Sequence, residues 1–438
     1  VSALATALLA ASAAIDGAAA HRHASALAAL GPHPWGTPRA RAAAQYVAAQ
    51  MRAAGLRDVR LEPFAAHGRR GANVIGVRPG SGPGFVVVGA HHDTAPESPG
   101  AYDDGGGVGV LLEVARAQAA AARPVRTLVF ASWDGEEAWS TGLTTTAGSR
   151  EHVRALGPRG REMVAALAIE MCGWAGGAPV LHPIAYSDPL RPGRYVAAPA
   201  WVMRAALQGA REAGSPFAVG DPLLSWLYQP TVRTFRARLY GDDLSFLQAG
   251  LPAVFASDSS FTAFYPWYHR PADTPDKLDP RALARMGGAV LGALRALEHA
   301  QPAGAERDWF ALGSVVIGRT GLAAVVVSSL ALLMARGRSW AGGRVYLLAH
   351  AALVAVLWWR NPVPVLWVFV LPQLGVAARG RRPRLVPGVL LLLPLLALIT
   401  LGALAWARGF VSGLWLASWE LALAAAALVL LWLSAPAR

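Results

Sequence analysis

The chain has 438 residues, 54% hydrophobic and only 15% charged, with a formal net charge of +13. That is room for two or three domains at roughly 150 residues each, and it is too apolar for a purely soluble protein. Residues 309–438 hold 11 Arg, no Lys and one acid, Glu420, so +10 of the +13 belongs to this tail and +3 to residues 1–308; positive charge set among apolar stretches is a membrane-topology signal, and nucleic acid is not an expected partner.

Residues 1–14 are apolar and uncharged. They read as the remnant of a signal peptide or anchor, about 1–15, or as an Ala-rich helix. Residues 16–305 read as one α/β domain. Helical patterns run over 17–30 and 38–54. Short strands follow at Asp58–Phe64, Ala72–Val77 and Phe85–Gly89. A helix over Val108–Gln118 opens from the glycine turn at 105–107. Then come strands at Val125–Ser132 and Ala165–Met171, a helix at Pro199–Ala213, a strand at Leu251–Ala256 and a closing helix at Pro280–His299. Strands that alternate with helices and read as continuous apolar runs imply a mostly parallel, mixed sheet sandwiched by helices. The stretch 214–238 is irregular and reads as a surface insertion or lid. The lone cysteine, Cys172, permits no intrachain disulfide and reads as a small buried hydrophobe.

The tail, 309–438, reads as an all-α membrane domain. Its apolar segments are 311–335, 345–359, 362–378, 385–406 and 410–434, and a spanning helix needs about 20 residues. Arg336, Arg338 and Arg344 fall in one loop; Arg379, Arg381, Arg382 and Arg384 fall in another. The positive-inside rule makes these loops and the C-terminus cytoplasmic and puts Trp309, with the domain before it, on the extracytoplasmic side. A lipid bilayer is therefore an expected partner. The oligomeric state is not legible.

Polar residues at the ends of apolar strands usually face a cleft. His91 and Asp93 follow the strand at Phe85–Gly89. Asp93 is placed to fix the tautomer of His91, as a carboxylate behind a metal-bound imidazole does. Asp103 and Asp104 stand in a glycine-dense turn before a helix: Asp104 suits capping, and Asp103 is the better ligand, since one carboxylate can bridge two cations. Glu136 and Glu137 leave the next strand, where one can ligate a metal while the other reaches water as a base. Glu170 interrupts an apolar run, and a buried carboxylate must be paired, protonated or bound to metal. His269 lies in an aromatic-flanked loop beside Tyr268, whose phenol can donate to a developing oxyanion.

The ordered set Gly-Ala-His-His-Asp-Thr (89–94), Ala-Tyr-Asp-Asp-Gly (101–105), Asp-Gly-Glu-Glu (134–137), Glu170-Met171 and Tyr-His-Arg-Pro-Ala-Asp (268–273) resembles the co-catalytic two-zinc aminopeptidases, a family that also holds glutaminyl cyclases and inactive receptor ectodomains. The resemblance covers roughly residues 20–300. It implies a zinc-exopeptidase-like fold and two Zn2+ per chain. His91 and Glu170 would bind one zinc, Glu137 and His269 the other, and Asp103 would bridge. Glu136 would be the general base, Asp93 would orient His91, and Tyr268 would polarise the scissile carbonyl of a peptide substrate. Three departures stand out: His92 occupies a position often aromatic in the family, Glu170 stands where an Asp is common, and after Asp243, which resembles an Asp of the family, Leu244 stands where a His is common. A glutaminyl-cyclase-like transferase and a non-enzymatic binding ectodomain are the alternative readings.

Overall fold

The computed structural model describes residues 14–137, 146–187, 195–221, 241–260, 263–304, 306–307, 309–324 and 327–328. The chain falls into two units, Val1–Ser225 with Tyr240–Gly304, and Trp226–Leu239 with Ala305–Arg438.

In the first unit α1 (Gly17–Ala28) and α2 (Pro38–Ala53) precede β1 (Arg57–Ala66), β2 (Arg69–Arg78) and β3 (Phe85–His91). A π-helical turn, Ala101–Gly106, leads into α3 (Gly107–Ala120), followed by β4 (Thr127–Trp133), α4 (Ala147–Leu156) and β5 (Met163–Ile169). Short strands β6 (Val180–His182), β7 (Ala185–Ser187) and β8 (Tyr195–Ala197) follow. Then come α5 (Ala200–Glu212), β9 (Ala218–Val219), α6 (Asp243–Gln248), β10 (Ala253–Ser257) and α7 (Pro280–His299).

One eight-stranded sheet runs in the order β1-β2-β4-β3-β5-β10-β6-β9. Its centre is parallel: β4 with β3, β3 with β5, and β5 with β10. The β1–β2, β2–β4 and β10–β6 pairings are antiparallel. Crossovers from β3 to β4 and from β4 to β5 travel in opposite directions along the sheet. Right-handed connections therefore put α3 and α4 on opposite faces. Helices α2 and α7 share the α3 side, and α6 packs with α4.

The central strands form because they are apolar at every position. β3 and β5 are buried along their whole length, as a strand covered on both faces requires. Helix α7 buries Leu283, Met286, Val290, Leu294 and Leu297, a three-and-four spacing that makes one apolar stripe. Asp16, Thr37 and Asp279 cap α1, α2 and α7 with side-chain oxygens.

The sheet is mixed α/β with helices on both faces, as the sequence implies. Boundaries differ at functional positions. His91 is the last residue of β3 rather than one beyond it, and β5 ends at Ile169, so Glu170 is the first residue past the strand.

In the second unit, Trp309–Leu312 (β11) and Val315–Gly318 (β12) pair antiparallel. The expected membrane helix over 311–335 is corrected at its start, where 311–318 belong to the hairpin; residues 319–324 and 327–328 are helical. Gly313, at φ +56°, begins the two-residue turn, and the β-branched run Val315-Val316-Ile317 folds back from it. Among the described residues no helix is long and apolar enough to cross a membrane. The apolar segments 345–359, 362–378, 385–406 and 410–434, residues 325–326 and 329–335 of the segment 311–335, the N-terminal stretch 1–13 and residues 222–238 of the irregular stretch lie outside the described residues.

Candidate metal centre

The site is assembled from strand ends. His91 closes β3, Glu136 and Glu137 follow β4, and Glu170 follows β5. Asp103 comes from the π-helical turn between β3 and α3, and His269 from the loop after β10. These carboxyl ends are where a doubly wound sheet leaves a crevice.

Asp103 is the centre of the arrangement. Its Oδ1 lies 3.2 Å from His91 Nε2 and its Oδ2 lies 3.1 Å from His269 Nε2. His269 Nε2 is also 2.7 Å from Glu137 Oε1. Three sets bring ligand atoms within 4.8 Å of one another: His91–Asp103–Glu170, Asp103–Glu137–His269 and His91–Glu136–Glu137. The first two share Asp103, and the third adds Glu136 to the rim. His91, Asp103, Glu136, Glu137 and Glu170 are buried. His269 is 16% exposed, so the cleft opens on its side. There the ring of Tyr268 stacks on that of His269, centroids 3.7 Å apart.

The backbone is bent to hold these groups. His269 sits at φ +57° and Met171, beside Glu170, at φ +51°, a left-handed region rarely used by residues with a Cβ. The Asp103–Asp104 peptide bond is cis. Gly106 lets the turn press on the neighbouring chain: a Cβ there would lie 2.0 Å from the Cys172 carbonyl oxygen.

Electrostatics follow from burial. Desolvation pushes Glu136 and Glu170 well above the usual carboxylate range, and neighbouring carboxylates add to it. Glu137 is pushed up to about 7 by burial and by Asp103. Burial disfavours charge on His269, but hydrogen bonds to Asp103 and Glu137 outweigh it and raise the imidazole to about 10. His91 is raised in the same way by Asp103 and Asp93. Burial and the surrounding acids hold Tyr268 as a neutral phenol.

The donor set fits zinc, which takes imidazole nitrogen and carboxylate oxygen. Buried carboxylates need a cation, yet no described lysine or arginine forms an ion pair with Asp103, Asp104 or Glu170. Asp103 Oδ2 is buried and turned toward His269, 3.1 Å from its Nε2. His91, Asp103, Glu137, Glu170 and His269 are thus placed to hold divalent cations, with Asp103 between two sets.

Asp93 lies against His91 and has a further set of partners. His91 Nδ1 is 3.1 Å from the Asp93 carbonyl oxygen and 3.5 Å from its Oδ1. The Asp93 carboxylate accepts the amides of Glu136, at 3.0 Å, and Glu137, at 3.2 Å. Asp93 therefore faces His91 and also clamps the two-glutamate turn. His92 turns the other way, onto Ser132 Oγ at 3.0 Å, and burial drops it to about 3, a neutral ring outside the ligand sets.

Three further acids support the site: Asp104, which the sequence marks as a helix cap, and Asp273 and Asp258, to which it assigns no role. Asp273 accepts the amides of Tyr102 (2.9 Å) and Asp103 (3.3 Å). Asp104 accepts the amides of Gly107 and Met171, tying the start of α3 to the residue after Glu170. Asp258 accepts the Tyr102 hydroxyl (2.5 Å) and the Gly173 amide (2.5 Å). Asp273 stands in the quoted run after His269, but its partners lie 171 and 170 residues away, a pairing only the fold reveals.

The sequence profile described as peptidase family M28 matches residues 73–294. The uncharacterized protein YfbL of Escherichia coli K12 is 28% identical over 233 residues, 49% of this chain and 68% of that one. A probable leucine aminopeptidase of Arthroderma benhamiae is 25% identical over 240 residues, 50% of this chain and 56% of the fungal one. The chain thus spans little more than half of the fungal relative. The fold is similar to BSAP, a zinc aminopeptidase from Bacillus subtilis, with TM-score 0.51, 16% identity, and coverage of 64% of this chain and 94% of that one. It is equally similar to Porphyromonas gingivalis glutaminyl cyclase, with TM-score 0.51, 23% identity, and coverage of 64% and 98%.

Proposed function

For a chain that belongs to peptidase family M28, we propose a membrane-anchored aminopeptidase that uses two zinc ions to remove N-terminal residues from peptides on the extracytoplasmic side. The observation that carries this reading is Asp103 between His91 and His269, with an oxygen 3.2 Å and 3.1 Å from the two rings. His91 and Glu170 would hold one ion, Glu137 and His269 the other, and Asp103 would serve both. Zinc held there would supply Lewis-acid polarisation of a carbonyl and would lower the pKa of water to about 7.

The remaining work belongs to the chain. Glu136 takes a proton from the attacking water as oxygen bonds to the scissile carbonyl carbon. The C–N bond then breaks, and the same proton passes from Glu136 to the departing amine. Tyr268, held neutral, donates a hydrogen bond to the carbonyl oxygen as negative charge develops on it. Asp93 keeps the Glu136–Glu137 turn in place through the two amides. The anchoring reading is supported by the apolar tail, and the extracytoplasmic side by its arginine distribution.

The test is turnover of aminoacyl-anilides by the full chain in detergent with added zinc. Glu136→Gln should lower kcat by about 10²–10⁴-fold while metal content stays at two zincs per chain. Undiminished turnover in that variant, or none in the zinc-loaded wild type, would reject the proposal. Because the fold is shared with a glutaminyl cyclase, peptides with N-terminal Gln are assayed alongside. Pyroglutamate formation at one zinc per chain would move the assignment to a cyclase.

A further inference from the structure

The first unit separates its charges along the strands. The carboxyl ends of β3, β4 and β5 hold the buried acids of the metal centre. The amino ends carry arginines. Arg57 opens β1, and Arg78 closes β2 opposite Leu128 at the start of β4. Arg123 and Arg126 stand in the loop before β4, and Arg159 and Arg161 in the 3₁₀ turn before β5. The acids at this end are Asp58, Glu162 and Glu298, half as many.

Arginine–carboxylate ion pairs form elsewhere in the first unit, at Arg22–Asp16, Arg60–Glu62, Arg116–Glu113 and Arg154–Glu151. None involves these six. Arg78, Arg123 and Arg126 instead donate to the carbonyls of Ala121 (3.1 Å), Gly80 (2.6 Å) and Glu298 (2.6 Å). Those bonds fix the side chains without neutralising them. Val125, between two of the arginines, is 42% exposed, one of four large apolar side chains so exposed among the described residues.

Chain direction supplies the second observation. Helix α7 begins beside the cleft, where the Asp279 amide donates to the Gly173 carbonyl at 2.7 Å. It ends where Arg126 bonds the Glu298 carbonyl. The chain therefore leaves this unit at its arginine end, and the sequence beyond residue 309 contains the apolar segments.

We propose that this arginine face rests on the anionic phospholipid headgroups of the bilayer that anchors the chain, an inference that depends on the membrane-anchored reading above. Arginine near an anionic surface is attracted within a Debye length, and Val125 is the apolar group to enter the headgroup layer. Strand β3 has seven residues, about 20 Å at roughly 3.3 Å each. The metal cleft then opens that far from the lipid, and peptides reach it from solution rather than along the membrane plane.

Cys172 is buried, so an introduced cysteine takes a fluorophore selectively. Ser81→Cys labels the arginine end and Glu97→Cys the cleft end; both positions are exposed. The full chain is reconstituted into vesicles of phosphatidylcholine and phosphatidylglycerol that contain a headgroup spin label. Quenching should be several-fold stronger at position 81 than at 97. It should fall at 81 in high salt, in vesicles of phosphatidylcholine alone, and in R123E/R159E/R161E. Equal quenching at both positions, stronger quenching at 97, or quenching at 81 indifferent to both salt and lipid charge overturns the proposal. The lipid comparison needs no charge variant, so a misfolded triple mutant does not spoil it. Flotation is read in parallel: a chain that fails to float with the vesicles overturns the anchoring reading itself, and this one with it.

Discussion

A carboxylate that accepts two backbone amides does more than balance an imidazole. Asp93 faces His91 Nδ1 and also receives the amides of Glu136 and Glu137. Asp93→Ala leaves two buried donors unpaired, at about 1–3 kcal/mol each, and frees the glutamate turn. Groups that hold metal ligands commonly change affinity or activity about 10–100-fold. We expect Asp93→Ala to weaken zinc binding and lower kcat together, whereas Glu136→Gln should lower kcat alone. Zinc titration with an indicator beside steady-state kinetics separates the two, and equal metal affinity in Asp93→Ala and wild type would refute the clamp. Asp103→Asn is the complementary case. Its oxygens serve both sets, so loss of charge there should release both zincs in parallel rather than one. At this scale the sequence shows which groups carry chemistry, because Glu170 in an apolar run and His91 at a strand end are conspicuous. It does not show Asp273 or Asp258 as supports, since their amide partners are brought near only by the folded chain.

Elements explain the glycine-dense turn before α3. Gly106 has an ordinary φ but no room: its Cβ would meet the Cys172 carbonyl oxygen at 2.0 Å. Backbone cannot swing aside as a flexible side chain does, so Gly106→Ala must displace either the turn that carries Asp103 or the segment after Glu170. Gly214 is the contrast, at φ +76° with nothing within 4 Å of its Cβ. There alanine pays only for the left-handed backbone, about 1 kcal/mol. Gly106→Ala should cost on the order of 2–4 kcal/mol and reduce zinc content. Urea midpoints of the two variants decide it, and equal midpoints would reject the close-contact account. The same level shows what is legible locally. The central strands are evident because β3 and β5 are apolar throughout. Helix α4 is not, since Thr146 before it sits at φ +60° and makes no side-chain cap bond. Strands β6 and β9, of three and two residues, are too short to show a period. The start of the segment at 311 reads as part of a long apolar helix, but Gly313 turns 309–318 into a hairpin, and hydropathy averaged over a window does not register one residue's φ.

For the whole molecule, buried histidines and buried acids pull stability in opposite directions as pH changes. Burial lowers His182, beside Ser257, to about 4, against about 6.5 in an unfolded chain. Between those values the unfolded state binds more protons, so this group's contribution is intact above pH 6.5 and is lost as pH falls toward 4. Burial raises Asp258 to about 7, from about 3.9 unfolded. There the folded state binds more protons, and stability is lost as pH rises toward 7. The two slopes oppose each other, so the wild-type curve alone reveals neither; the differences between variants do. His182→Gln should gain on wild type as pH falls from 6.5 to 4, by on the order of 3 kcal/mol in total. Asp258→Asn should gain on wild type as pH rises from 4 to 7, by a similar amount less the hydrogen bonds it weakens. Denaturant unfolding across this range, with wild type in parallel, subtracts the part due to zinc release common to both. Difference curves of the same sign for the two variants would contradict the assignment of a neutral ring to His182 and a protonated carboxyl to Asp258.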